Sequence, residues 1–173
     1  MTKASYGLNE DFDKKYKTKE QSVFTLVLLL VAVLIVLFFL LRFVVGTSKV
    51  DGSSMDPTLI DGQMIFFTRI HASYQAGDIV CLSMPNGDNY VKRVVAVPGD
   101  VVELKEGKLY VNGQLQDAYG HGQTLPQEAS VIYPYTLEKN KYFLLGDNRE
   151  NSVDSRSFGA VYRGQILGEV IHQ

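Results

Sequence analysis

The 173-residue sequence has a single cysteine, Cys81, and no marked excess of charge of either sign. One cysteine forms no intramolecular disulfide and builds no cysteine-based metal site. Cys81 lies in the apolar run 79–82, which favours a buried structural thiol. With 17 basic and 19 acidic residues, the formal net charge is −2, so the sequence lacks the basic footprint of a nucleic-acid-binding protein. We therefore expect no nucleic-acid partner, no metal and no cofactor.

The longest apolar run covers residues 23–41 and reads VFTLVLLLVAVLIVLFFLL, without a charged side chain. At about 1.5 Å per residue it approaches the roughly 30 Å hydrocarbon core of a bilayer, and the apolar residues 43–45 extend it. A core helix of a small soluble domain would carry a polar stripe. A cleaved signal would have an apolar region of about 7 to 15 residues and then an Ala-x-Ala-like site, which residues 43–50 lack. The run predicts one retained transmembrane anchor at 23–45.

Basic residues are more frequent before this run than after it. The ones before it are Lys3, Lys14, Lys15, Lys17 and Lys19, and those shortly after it are Arg42 and Lys49. The side of a span that is richer in lysine and arginine stays in the cytoplasm. We therefore expect residues 1–22 to be a polar, unstructured cytoplasmic tail. Residues 46–173 would then form a domain on the outer face of the plasma membrane.

The outer segment alternates short runs of Val, Ile, Phe and Tyr with turn residues, and it has no long stretch of helical periodicity. Turn-forming pairs such as Asn112-Gly113 and Pro98-Gly99 separate the runs. This pattern predicts a mainly β fold, with one compact sheet or barrel-like domain behind the amino-terminal helix. The predicted strands are 64–68, 78–82, 90–97, 101–105, 108–111, 141–145 and 166–170.

Four segments stand out for chemistry. They read GSSMDPTL at 52–59, GDIV at 77–80, YVKRVVAVPGD at 90–100 and GDNRENSVDSR at 146–156. In order and wording, behind a single amino-terminal span, they resemble the signature boxes of bacterial type I signal peptidases in the compact form typical of Gram-positive bacteria. The resemblance implies a membrane-bound serine endopeptidase that removes signal peptides after Ala-x-Ala-like sites. Its partners would be secretory preproteins and the lipid bilayer.

The resemblance implies that Ser54, the serine directly before Met55, is the nucleophile and that Lys92 is its general base. A serine hydroxyl is a weak nucleophile until a base removes its proton, and a lysine can act as that base if burial lowers its pKa. Lys92 lies in an apolar strand, where alternation lets it project towards a packed face. Without the resemblance, Ser54 reads as a turn or helix-cap residue and Lys92 as a solvated surface residue.

A supporting network follows from the same resemblance. It assigns Ser152 to holding and orienting the lysine amine, and Asp154 and Arg156 to an ion pair that shapes the site. Asp147 and Arg149 are further candidates for this network. From the residues alone, Asp154 and Arg156 would form a surface salt bridge, usually worth under about 1 kcal/mol.

Substrate specificity would come from pockets for small side chains. The resemblance implies that these pockets are lined by Val50, Met55, Leu59, Tyr90 and Val91, which otherwise read as ordinary core residues. Gly52 lies where some family members have a serine whose hydroxyl joins the oxyanion hole. A second oxyanion donor besides the Ser54 backbone N–H must then come from elsewhere, because losing one donor can cost two to three orders of magnitude in rate.

Other classes of serine peptidase fit the sequence less well. Self-cleaving repressors share a serine before methionine and a strand lysine, but they carry a DNA-binding module where this chain has a span. The sequence has no Ser-x-x-Lys, and Asp56 replaces the last glycine of a Gly-x-Ser-x-Gly elbow. His71, His121 and His172 lie outside the four segments and are interpreted as surface residues. A non-catalytic, membrane-anchored β-domain that binds a partner remains the alternative.

Overall fold

The structure, a computed structural model, describes residues 4–71, 73–85, 87–128 and 131–171. It divides into two compact units, one before and one after the boundary between Phe43 and Val44. The first unit is a single helix, α1, over Ala4–Val44. Within it, Gln21–Val44 is long and apolar enough to cross a membrane, with a mean hydropathy of 3.4 and its side chains exposed.

The helix begins well before the apolar run, so the prediction of an unstructured amino-terminal tail is wrong. The segment before Gln21 contains no proline, and its five lysines and two glutamates are good helix formers. Extending an existing helix costs far less than nucleating a new one, because each added residue gains a hydrogen bond. The apolar segment therefore provides a nucleus from which the polar residues continue the helix.

The second unit is mainly β, which confirms the predicted fold class. All the paired strands are antiparallel, and they form a seven-stranded sheet of order β1-β2-β11-β3-β4-β9-β10 and a four-stranded sheet of order β7-β6-β5-β8. A one-turn helix, α2, covers Ser155–Phe158. The strands are β1 Val45–Lys49, β2 Met64–Thr68, β3 Ile79–Ser83, β4 Asn89–Ala96, β5 Val101–Lys105, β6 Lys108–Val111, β7 Gln114–Leu115, β8 Tyr135–Thr136, β9 Lys141–Leu145, β10 Val161–Tyr162 and β11 Ile166–Val170.

Seven of these strands were predicted from the pattern. β2, β5, β6, β9 and β11 have the expected bounds, while β3 and β4 are shifted by one residue. The prediction missed β1, β7, β8 and β10. Three of these are two-residue strands, and β1 reads VGTSK, which has no apolar alternation. β1 forms because β2 offers it a partner over five residues, from Val45 opposite Thr68 to Lys49 opposite Met64.

The core covers both sides of the central strands. On β9, Phe143 and Leu145 pack with residues of the four-stranded sheet, whereas Tyr142 and Leu144 pack in a different cluster. On β4 the residues from Val91 to Ala96 are all buried. Strand alternation sends neighbouring side chains to opposite faces. The charged residues of β4, Lys92 and Arg93, are therefore both taken out of water.

Candidate active site

Ser54 lies on a tight turn between β1 and β2. The Asp56 N–H donates to the Ser53 carbonyl oxygen at 3.1 Å, and the Leu59 N–H donates to the Met55 carbonyl oxygen at 3.0 Å. Met55 and Leu59 are both buried in the core cluster beneath the turn. These two apolar anchors fix the turn and leave the half-buried Ser54 at its surface.

Lys92 meets Ser54 from β4. Its side chain is 4% exposed, and its Nζ lies 2.7 Å from Ser54 Oγ and 3.0 Å from the Val91 carbonyl oxygen. Burial lowers the pKa of Lys92 to about 8, an effect that the negative charges of Asp154 and Asp147 oppose and the positive charge of Arg156 assists. The structure thus brings the predicted nucleophile and the predicted base within hydrogen-bond reach.

Asp154 and Arg156 form a bidentate ion pair. Arg156 Nη2 and Nε each lie 2.8 Å from one of the Asp154 carboxylate oxygens, and both side chains are at most 1% exposed. The pair is therefore not a surface salt bridge. Asp154 also accepts from the Gly146 N–H at 3.1 Å, and Arg156 Nη2 donates to the Arg149 carbonyl oxygen at 2.6 Å. These bonds stabilise the segment 146–156 as it passes beside Ser54.

Asp147 pairs with Arg93, a residue that the sequence reasoning did not single out. Arg93 Nε and Nη2 donate to the two Asp147 oxygens at 2.8 and 2.6 Å, and Thr58 Oγ1 donates to the same carboxylate at 2.5 Å. This buried cluster joins β4, the turn that carries Ser54 and the segment after β9. The one available signal was a second basic residue inside the apolar run of β4, next to Lys92.

Arg149, the other candidate for the network, is buried, and within the described residues it forms no ion pair. Its guanidinium donates to the carbonyl oxygens of Gly146 at 3.0 Å and Tyr119 at 2.6 Å, and to Thr124 Oγ1 at 2.9 Å. Arg149 therefore joins the 119–124 loop to the segment after β9.

Ser152 does not make the hydrogen bond to Lys92 that the resemblance implies. Its side chain is buried, and among the described residues its Oγ has no hydrogen-bond partner. It packs against Gly146 instead, because a Cβ added to Gly146 would lie 2.2 Å from Ser152 Oγ and 2.5 Å from the Ser54 carbonyl oxygen. Position 146 must be glycine for this segment to come so close to the turn that carries Ser54.

Ser54 and Lys92 open onto a cavity of about 170 Å³. Four of the residues expected to form the substrate pocket line it, Val50, Met55, Tyr90 and Val91, and so does Val153. Leu59, the fifth predicted pocket residue, does not line this cavity. It packs in the core and borders a larger cavity of about 620 Å³ between β2, β3 and β11, which contains neither Ser54 nor Lys92. The turn from Met55 to Leu59 carries the Leu59 side chain away from Ser54.

Gly52 has a φ of +82°, a backbone conformation that side chains disfavour, and its N–H donates to Asp61 Oδ1 at 2.9 Å. That N–H is therefore already engaged.

The histidines have separate positions. His71 Nε2 lies 3.1 Å from Glu169 Oε2, and His121 Nε2 lies 2.9 Å from the Asp56 carbonyl oxygen. His172 lies outside the described residues.

Cys81 is fully buried, which raises the pKa of its thiol to about 12. Within the part of the chain that the structure describes, no group of three or more histidine, cysteine or acidic side chains is placed to hold a metal ion.

Known proteins resemble this chain over most of its length. A family model described as signal peptidase, peptidase S26, matches residues 23–172. Signal peptidase IB of Staphylococcus aureus strain Mu50 is 37% identical over 154 residues, which cover 79% of this chain and 81% of that protein. Signal peptidase I P of Bacillus subtilis subsp. natto is 34% identical over 175 residues, which cover 91% of each.

Among solved structures, a signal peptidase I from Enterococcus faecalis V583 is similar, with a TM-score of 0.48 and 27% identity, covering 59% of this chain and all of that one. The family match and the two relatives carry the assignment. This chain belongs to the signal peptidase family, peptidase S26, in its Gram-positive-like type I form.

Proposed function

We propose that this signal peptidase cleaves preproteins with Ser54 as nucleophile and Lys92 as general base, after small residues of an Ala-x-Ala-like site. The observation that carries the proposal is the 2.7 Å contact between Lys92 Nζ and Ser54 Oγ at a lysine that is 4% exposed. Geometry decides first whether a group can be a general base, and the pKa decides second. Lys92 meets both conditions, because burial lowers its pKa to about 8.

In the reaction, neutral Lys92 takes the proton of Ser54 Oγ as that oxygen bonds to the carbonyl carbon of the scissile peptide. The ammonium so formed gives its proton to the leaving nitrogen when the carbon–nitrogen bond breaks. A water molecule then attacks the ester carbon while Lys92 accepts the water's proton, and Lys92 returns that proton to Ser54 Oγ as the ester bond breaks. The lysine thus takes the part that histidine has in a Ser-His pair.

The supporting residues hold this pair in place. Asn148 N–H donates to the Ser54 carbonyl oxygen at 3.0 Å, and the buried Asp154–Arg156 pair stabilises the segment that carries Asn148. Ser152 is proposed to contact the Lys92 amine when substrate is bound, since its buried Oγ has no hydrogen-bond partner within the described ranges. Asp147 acts through Arg93, the neighbour of Lys92 on β4.

The small cavity beside Ser54 supports the preference for small residues. This space of about 170 Å³ offers apolar contacts from Val50, Met55, Tyr90 and Val91 to a short side chain placed beside Ser54. Leu59 contributes to this pocket only through its packing in the same core cluster as Met55.

The membrane arrangement is also part of the proposal. Residues 1–22 lie in the cytoplasm, residues 23–45 form the anchor, and residues 46–173 are the peptidase domain on the outer face of the plasma membrane. The excess of lysines before the apolar run supports this orientation. The helix Gln21–Val44 supports the single span.

The test compares Ser54→Ala with Ser53→Ala on a secretory precursor, with the products weighed by mass spectrometry. Ser54→Ala should fold, insert and show no cleavage, because it lacks only the attacking oxygen. Ser53→Ala loses one hydrogen bond, from Asn151 Nδ2, and should keep most of its activity. Substantial cleavage by Ser54→Ala would refute the proposed nucleophile, and an unmodified protein that cuts no precursor would favour a non-catalytic β-domain that binds a partner.

A further inference from the structure

The loop 119–124 is attached to the segment that follows β9. The His121 N–H donates to the Asp147 carbonyl oxygen at 2.7 Å, and the Arg149 N–H donates to the His121 carbonyl oxygen at 3.0 Å. These two bonds place His121 beside Asn148 in a short parallel bridge. Arg149 adds bonds from its buried guanidinium to Tyr119 and Thr124. The backbone of His121 is therefore held rigidly, although its side chain is exposed.

From this position the His121 ring reaches the nucleophile turn. Its Nε2 lies 2.9 Å from the carbonyl oxygen of Asp56, two residues after Ser54. A carbonyl oxygen only accepts hydrogen bonds, so the ring nitrogen at this contact carries the proton and donates it. The contact ties the loop to the turn across 65 residues of sequence.

Two donors from one bridge thus hold the same turn. Asn148 donates its N–H to the Ser54 carbonyl oxygen at 3.0 Å, and its neighbour in the bridge, His121, donates to the Asp56 carbonyl oxygen. The two acceptors are alternate carbonyl groups on either side of Met55. A turn fixed at two such points resists the rotation that would move Ser54 Oγ away from Lys92 Nζ.

We propose that His121 is a positioning residue for Ser54, acting through the Asp56 carbonyl group and taking no part in proton transfer. The inference rests on the proposed Ser54–Lys92 mechanism. Reaction rates depend steeply on such geometry, since a misplacement of about 1 Å can cost around a hundredfold. The loss of one hydrogen bond from a turn that keeps the Asn148 bond should have a smaller effect, a fall in kcat of roughly 5- to 20-fold.

The experiment uses the full-length chain in detergent micelles and a soluble peptide with an Ala-x-Ala site. His121→Gln keeps an amide N–H near the position of the ring Nε2. His121→Asn carries the same amide on a side chain one carbon shorter, and His121→Leu has no donor. We expect the glutamine variant to stay within about threefold of the unmodified kcat, and the asparagine and leucine variants to lose roughly 5- to 20-fold, with KM unchanged. His71→Leu, a histidine paired with Glu169, is the matched control and should keep its kcat.

Equal kcat values for the glutamine, asparagine and leucine variants would overturn the inference. So would a loss of activity that arises from a higher KM with kcat unchanged. If the leucine variant fails to fold, the comparison of glutamine with asparagine decides in the same way. Ser54→Ala separates this failure from that of the mechanism. If Ser54→Ala is inactive and the three His121 variants are all fully active, only the role of His121 is wrong; if Ser54→Ala cleaves, the proposed mechanism itself is wrong.

Discussion

At the scale of single residues, the proposed chemistry depends on a lysine placed where an ammonium group is poorly solvated. Lys92 is 4% exposed on a strand buried on both faces, and desolvation outweighs the attraction of Asp154 and Asp147. The buried carboxylates do not neutralise this effect because each is already engaged by an arginine, Asp154 by Arg156 and Asp147 by Arg93. A lysine with a pKa near 8 is available as a base in a neutral to mildly alkaline medium.

This placement predicts a pH profile. The base must be neutral, so kcat/KM on a soluble peptide should rise with pH through about 8 and level off above it, well below the usual lysine value of about 10.4. Lys92→Arg should be inactive at every pH, because a guanidinium group keeps its proton. Rates measured between pH 6 and pH 10 check both statements. A Lys92→Arg variant that cleaves at close to the unmodified rate would show that this lysine is not the base.

At the scale of secondary-structure elements, the short helix α2 is held by the residue that precedes it. Asp154 is the N-cap of Ser155–Phe158, with its side chain accepting the Arg156 N–H, and it also binds the Arg156 guanidinium and the Gly146 N–H. One carboxylate thus fixes the helix, the end of β9 and a buried cation. Four residues of helix would not be stable in water by themselves.

Replacement of the Asp154 carboxylate should lower the free energy of unfolding substantially. Asp154→Ala leaves the Arg156 charge buried without its partner, and breaking a buried pair in this way costs about 3 to 5 kcal/mol of unfolding free energy. The matched control is Glu103→Ala, which removes the solvent-exposed ion pair with Lys105 and should cost under about 1 kcal/mol. Denaturant unfolding of the full-length chain in detergent measures both. Similar losses for the two variants would contradict the structural importance of the Asp154–Arg156 pair.

At the scale of the whole molecule, Ser54 follows the apolar helix closely in the chain. The helix ends at Val44, β1 begins at Val45, and Ser54 comes ten residues after the helix, from 54 minus 44. Ten residues reach at most about 35 Å when fully extended. We infer that the anchor presents the site to precursors in the same membrane, since confinement of both partners raises their effective concentration.

Removal of the membrane anchor should slow the processing of membrane-inserted precursors without changing the cleavage step itself. A chain that begins at Val45 keeps the whole β unit and should cleave a soluble Ala-x-Ala peptide at close to the full-length rate. It should process a membrane-inserted precursor in lipid vesicles far more slowly than the full-length chain does. Unchanged vesicle processing would show that confinement is not the role of the anchor, and loss of peptide cleavage by a folded truncated chain would show that the helix helps to build the site.

Much of this protein follows from local pattern in the sequence. The apolar run marks the helix Gln21–Val44, alternation marks strands such as β2 and β9, and the segments around Ser54, Lys92 and Asp154 identify the family. These features depend on residues close together in the chain, because the periodicity of apolar side chains directly favours a helix or a strand. The amino-terminal end of α1 departs from expectation because helix propagation from the apolar segment outweighs the polarity of the preceding residues.

Tertiary structure decided which distant groups meet and which of them lose water. The pattern could not show that Arg93 would pair with Asp147, 54 residues away, or that Leu59 would lie outside the cavity beside Ser54. It could not show that Ser152 Oγ would have no hydrogen-bond partner in the described part of the chain, or that His121 would reach the turn that carries Ser54. The burial that lowers the pKa of Lys92 likewise depends on the elements that cover β4. The sequence by itself determined the apolar helix, seven of the strands and the family, whereas the pairing and desolvation of the side chains arose from packing, because both depend on contacts between residues far apart in the chain.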